Sequence, residues 1–129
     1  MPERFAEMAS TVAYLLSAVT ALDRVGVATP DDLTGRMPFI RVNRAGGGRD
    51  RLNDYARLTV DVFDNDYARG SATAEDVAGF LEAGRQHWGS VVIDRVSCDA
   101  APQEVAPWAP GIFRFEATYT VVSRRYRVA

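Results

Sequence analysis

With 129 residues and 14.2 kDa the chain has the length of a single domain, 1–129, and is too short for two independent cores. Its 47% hydrophobic and 25% charged residues exclude a disordered chain, and 15 basic against 17 acidic side chains give a net charge of -2 that points to neither nucleic acid nor an anionic membrane as partner. A lone cysteine, Cys98, excludes an intrachain disulfide and a four-thiolate zinc site, and no apolar run approaches the roughly 20 residues that span a bilayer.

Phe5, Met8, Val12, Leu15, Leu16, Val19 and Leu22 recur at steps of three and four, which predicts an amphipathic helix over residues 2–23, with Pro2 in its first turn. Glu3 and Glu7 stand where a secretory signal would be basic, so a reducing cytoplasm is the expected place of synthesis. A second stripe of small residues, Ala9, Ala13, Ser17 and Ala21, suits close approach of a sheet. Residues 26–38, with Pro30, Gly35 and Pro38, read as a loop with one short helical turn at 31–33.

From Phe39 the period changes to two. Ile40 and Val42 alternate with Arg41, Asn43 and Arg44 in a half-buried strand that Gly46, Gly47 and Gly48 are expected to end. Leu58, Val60 and Val62 alternate with Arg57, Thr59 and Asp61 in a second strand, so the pair predicts an antiparallel hairpin around an extended loop over 45–55. A loop of roughly ten residues exceeds the usual hairpin length and marks a contact arm.

Thr73, Glu75 and Asp76 read as the cap and acidic first turn of a second helix, which Val77, Phe80, Leu81, Gly84 and Trp88 carry to about Gly89. Val91, Val92, Ile93 and Val96 predict a third strand, and residues 99–111 a Pro-rich connection that holds Trp108. In the last strand Phe113, Phe115, Ala117, Tyr119 and Val121 share one face, with Arg114, Glu116, Thr118 and Thr120 on the other. The expected fold class is α+β in the order α-β-β-α-β-β, an antiparallel four-stranded sheet packed with two helices.

The triple glycine does not make a phosphate loop, because the chain has no Lys and continues Arg49-Asp50-Arg51. Asp61, Asp64 and Asp66 lack the Gly that a calcium loop needs and read as a solvated acidic turn. His87, expected on the second helix, and Cys98 have no evident orienting partner for nucleophilic catalysis. No catalytic residue, cofactor or metal is expected. All fifteen basic residues are Arg, a bias read first as the mark of a GC-rich genome and second as a demand for bidentate contacts.

The run Pro38-Phe39-Ile40-Arg41-Val42-Asn43-Arg44-Ala45-Gly46-Gly47, then Leu58-Thr59-Val60-Asp61-Val62-Phe63 and a helix, resembles the tail terminator proteins of long-tailed, siphovirus-type phages. Ile93-Asp94-Arg95-Val96, Pro107-Trp108 and Arg114-Phe115-Glu116-Ala117-Thr118-Tyr119 extend the resemblance over most of the chain. It implies a virion structural protein of the tail and neck, assembled in the host cytoplasm. Such a protein forms a ring, commonly a homohexamer, that caps the head-proximal end of the tail tube and stops its polymerisation. Its implied partners are its own copies, the major tail tube protein and a head-completion or connector protein. DNA would pass through the ring without sequence-specific contact, and no membrane is involved.

A closed ring needs two different patches on each subunit, here the arm around residues 46–53 and either the small-residue face of the first helix or the Trp108 connection. The contact zone expected from the residues comprises Arg41, Arg44, Gly46, Gly47, Arg49, Asp50, Arg51 and Asp54 around the arm, Trp108 as an anchor, and Arg124 and Arg125 at the basic end. The alternatives are a head-tail connector of the same neck and a small enzyme or ligand-binding α+β domain with a polar site between sheet and helices.

Overall fold

The computed structural model describes residues 3–83, 86–88 and 91–127, with side chains over 3–83 and 91–126. The elements in chain order are β1 (Glu3–Arg4), α1 (Met8–Leu15), β2 (Val25–Gly26), β3 (Phe39–Arg49), β4 (Asn53–Asp64), α2 (Tyr67–Glu82), β5 (Gln86–Trp88), β6 (Val91–Ala109), β7 (Ile112–Arg124) and β8 (Tyr126–Arg127). Short 3-10 turns lie at Leu16–Ala18, Leu22–Arg24 and Leu33–Arg36.

Six strands form one sheet in the order β2-β3-β4-β7-β6-β5, and β1 pairs with β8 in a separate two-stranded ribbon. The sheet is mixed, because β2 runs parallel to β3 while the other neighbours are antiparallel. This overturns the expected four-stranded antiparallel sheet in the order α-β-β-α-β-β. The strands missing from that expectation are two or three residues long, too short to carry a period of two; β1, β2 and β8 exist only through partners far away in sequence, and β5 pairs with the start of β6.

Both helices lie on one face of the sheet. Met8, Val12 and Leu16 from the first helical segment, and Ala74, Val77, Ala78 and Leu81 from α2, pack with Ile40, Val42, Leu58, Val60, Val62, Phe115, Ala117, Tyr119 and Val121. Alternation along β4 sends Leu58, Val60 and Val62 into this layer and Thr59, Asp61 and Phe63 to the other face. There a smaller cluster of Leu33, Met37, Phe39 and Phe63 covers one end of the sheet. α2 approaches the sheet at Gly70, where a Cβ would stand 2.8 Å from the Phe115 ring.

Several boundaries move from their expected places. The first helix covers eight residues instead of 2–23, because the Glu7 carboxylate accepts the Ala9 and Ser10 N–H groups at 3.1 and 2.8 Å and so starts it at Met8. At its other end Ala21 is extended, and the chain goes on to pair as β2. The glycines do not end the third strand: β3 runs through Gly46, Gly47 and Gly48 to Arg49, with a bulge between Arg44 and Gly46. The expected loop over 45–55 is therefore the end of a hairpin whose turn closes with the Asp50 N–H donating to the Asn53 carbonyl at 3.0 Å.

α2 starts at Tyr67, capped by Asp66, whose carboxylate accepts the Arg69 N–H at 3.0 Å; Thr73, the expected cap, is buried inside the helix. Residues 86–88 are a strand and not the end of that helix. The expected connection 99–111 is the second half of β6, a strand broken by four register shifts. Among the described residues β5 pairs only with Val91 to Ile93, so the rest of β6 is a sheet edge, where Pro102 and Pro107 interrupt no ladder on the outer side.

Candidate functional site

β4 carries three buried carboxylates, Asp54, Asp61 and Asp64, each at most 1% exposed. A buried carboxylate persists only where donors replace its water, and every one of these has arginine donors. Arg44 meets Asp54 through two bonds of 2.8 Å and Arg49 adds a third at 3.1 Å. Arg41 and Arg114 meet Asp61 at 2.9 and 3.0 Å. Arg69 meets Asp64 at 2.8 and 2.6 Å. The acidic cluster expected to be a solvated turn is thus divided between two buried ion pairs and the Asp66 cap. Among the described residues no group of His, Cys, Asp and Glu has the arrangement of a metal site.

These pairs divide the expected contact residues between opposite ends of the sheet. At one end is the hairpin tip. Asp50 accepts the Leu52 and Asn53 N–H groups at 2.8 and 2.7 Å and the Tyr55 hydroxyl at 3.1 Å, and the two backbone donors hold its carboxyl below the usual carboxylate range. Burial opposes the charge of Asp54, but the Arg44 and Arg49 hydrogen bonds outweigh it and depress its pKa. Phe5 lies between two guanidiniums, Arg49 at 4.8 Å and Arg125 at 4.5 Å from its ring centre. Arg125 also donates to the Arg51 carbonyl at 2.7 Å, and Arg124 pairs with Asp94 at 2.8 Å.

Gly47 makes the tip possible. It sits at φ +107, and a Cβ there would lie 1.9 Å from the Tyr55 carbonyl oxygen. Gly46, at φ +136, lies beside the bulge, and its carbonyl accepts the Arg44 Nε–H at 3.1 Å.

Beside the tip opens a cleft of about 720 Å³ lined by Glu3, Arg51, Leu52, Asn53, Arg124 and Arg125. Arg51 has no ion pair among the described residues, and Leu52 is 65% exposed. Arg44, Arg49 and Arg125 bond within the tip and Arg124 pairs with Asp94 of β6, whereas Arg51 and Leu52 are turned outward.

Arg41 and Trp108 belong to the other end. The Arg41 guanidinium lies 5.2 Å from the Trp108 ring and 5.0 Å from that of Phe63, while Trp108 meets Phe63 edge-on at 5.5 Å and stays 46% exposed. The register places Asn53 opposite Arg124 and Asp64 opposite Phe113, so about 35 Å of strand separates the two ends. The sequence reading missed Phe5 and Leu52. Phe5 fits the helical period of the sequence, and nothing local marks it as the ring that Arg49 of β3 and Arg125, between β7 and β8, approach.

The candidates for nucleophilic chemistry do not assemble. Partial burial and the Glu82 carboxylate push the Cys98 thiol up, opposite to an activated thiolate. Burial also raises the Tyr119 phenol, whose oxygen has no hydrogen-bond partner. His87 lies in β5, and its side chain falls outside the described residues.

No protein-family model matches the chain, and no curated protein matches its sequence.

Proposed function

We propose that the protein is a ring-forming virion structural subunit of the tail terminator kind, without catalytic activity, which contacts its own copies, the tail tube and a head-side neck protein. The reading starts from the resemblance in the β3–β4 and β6–β7 regions. The observation that carries it is the pair of contact ends just described: Arg51 and Leu52 at the hairpin tip, and Trp108 at the opposite end of the same sheet. A subunit placed between two different neighbours needs a separate surface for each, and a ring needs unlike patches on every copy. Both ends are braced by Arg–Asp pairs on β4, so the anchors are held in place before any partner arrives. Pro102, Pro107 and the register shifts of β6 disfavour strand addition at that edge and favour contacts made through side chains there.

The test is to add the purified chain to polymerising tail tube protein and measure tube lengths by electron microscopy. Short tubes with a ring at one end are expected. Tubes of unchanged length with undecorated ends would overturn the reading.

One observation favours a second reading. The cleft lined by Glu3 and by Arg51, Arg124 and Arg125 has a surplus of positive charge for a carboxylate or phosphate, with Arg51 in no ion pair among the described residues. Calorimetric titration with inorganic phosphate and with acetate tests it, and no heat of binding at millimolar concentration would remove it.

A further inference from the structure

We infer that neighbouring subunits join by seating the β3–β4 hairpin tip of one copy, Leu52 foremost, in the apolar groove between α1 and β2 of the next. The inference rests on the ring reading and names the self-contact that such a ring uses. It begins with the large apolar side chains left exposed: Tyr14, Leu22, Val27, Leu52, Tyr67 and Trp108. Tyr67 and Trp108 lie edge-on against phenylalanine rings. By position, four of the six fall into two places. Leu52 stands alone at the tip, and Tyr14, Leu22 and Val27 line one groove together with Ser10, Ala13, Val25 and Gly26.

The groove holds about 230 Å³. An apolar cavity of roughly 150 Å³ admits benzene, so a leucine side chain fits with room for the neighbouring backbone. The tip is rigid: Asp50 holds the Leu52 and Asn53 N–H groups, and behind it Arg44 and Arg49 close on buried Asp54. A preorganised knob loses little freedom on docking.

Charge agrees with this pairing. Arg51 beside Leu52 and Asp23 beside Leu22 have no ion pair among the described residues, so docking would bring an unpaired guanidinium to an unpaired carboxylate. Within one copy they cannot meet. The groove lies where β2 pairs with Ile40 and Arg41, about 30 Å along β3 from Arg49. Knob and groove on different parts of the surface make a heterologous contact, the kind that closes into a ring.

The test uses a Cys98→Ser parent that carries Leu52→Cys, Val27→Cys or both, oxidised with copper phenanthroline. The two single variants mixed should give a crosslinked dimer and stop there. The double variant should give a ladder that ends at the ring size. In parallel, Arg51→Asp should raise the concentration of half-assembly at least tenfold, and adding Asp23→Arg should bring it back. Rings that form without crosslinking, and that tolerate both Leu52→Asp and Arg51→Asp, would overturn the docking and leave the ring reading standing. A parent that stays monomeric at every concentration, alone and on tail tubes, would overturn both.

Discussion

Arg44 and Asp54 meet face to face across the β3–β4 pair, each terminal guanidinium nitrogen 2.8 Å from one carboxylate oxygen. This pair and the Arg49 bond give the hairpin tip its shape, and tip shape is what both proposals above depend on.

Asp54→Asn keeps the size of the side chain and removes the charge that faces two arginines. The expected loss of stability is about 2–3 kcal/mol, the scale of hydrogen bonds to a charged group, reduced because Arg44 and Arg49 can turn to water. Arg44→Lys should lose about half as much, since lysine cannot bond both oxygens. Urea unfolding followed by tryptophan fluorescence measures both. Substitutions at Arg44 or Asp54 therefore weaken assembly through the tip, whereas Arg51→Ala should weaken assembly with the stability of the monomer unchanged.

Stability should fall in acid. Asp54 and Glu7 both have folded pKa values lowered relative to the free side chain: burial opposes the charge, and arginine bonds at Asp54 and N-cap bonds at Glu7 outweigh it. Their contribution is complete above the unfolded carboxylate values near 4 and is lost as pH falls through the lower folded values. The unfolding midpoint should be flat above about pH 5 and drop steadily below about pH 4. Asp54→Asn should make that drop shallower, as read by calorimetric Tm against pH.

Gly47→Ala should be more damaging than Gly48→Ala. The first puts a Cβ against the Tyr55 carbonyl at positive φ, and the second puts it in open space. Strain of this kind costs on the order of 1–3 kcal/mol. The comparison of the two variants by thermal unfolding checks it, with the larger fall in Tm expected at Gly47.

Trp108→Ala should fold. The ring is half exposed, and its edge contact with Phe63 and its place under Arg41 contribute about 1–2 kcal/mol together. Partner contact at that end should suffer instead, with tube capping at least tenfold weaker than that of the parent in the tube-length assay.

The parts of the fold legible in the sequence are those whose cause is local. Leu58, Val60 and Val62 alternate because one face of β4 is buried under helices, and the same logic exposes the inward face of β7 from Phe115 to Val121. What stayed hidden has distant causes. Glu3 and Arg4 become a strand only because Tyr126 and Arg127 lie beside them, and Val25 and Gly26 only because Ile40 and Arg41 do. Pro102 and Pro107 read as loop residues, yet an edge strand has no outer ladder for them to break.

The candidate site was legible as composition and not as geometry. The crowding of Arg around residues 41–51 is visible at once, and its division is not. Arg41 turns to Asp61 and Trp108 at one end, Arg44 and Arg49 turn to Asp54 at the other, and only Arg51 is left facing outward. Strand alternation across a bulge decides this, and the bulge between Arg44 and Gly46 has no signature beyond the glycines that looked like a turn.

The most direct measurement is native mass spectrometry of the purified chain over a concentration series, with negative-stain images of the largest species. The account predicts a closed ring of about six copies with a central channel, formed cooperatively and with no long-lived open filament. A chain that remains monomeric from micromolar to millimolar concentration, and remains so in the presence of tail tubes, would contradict it.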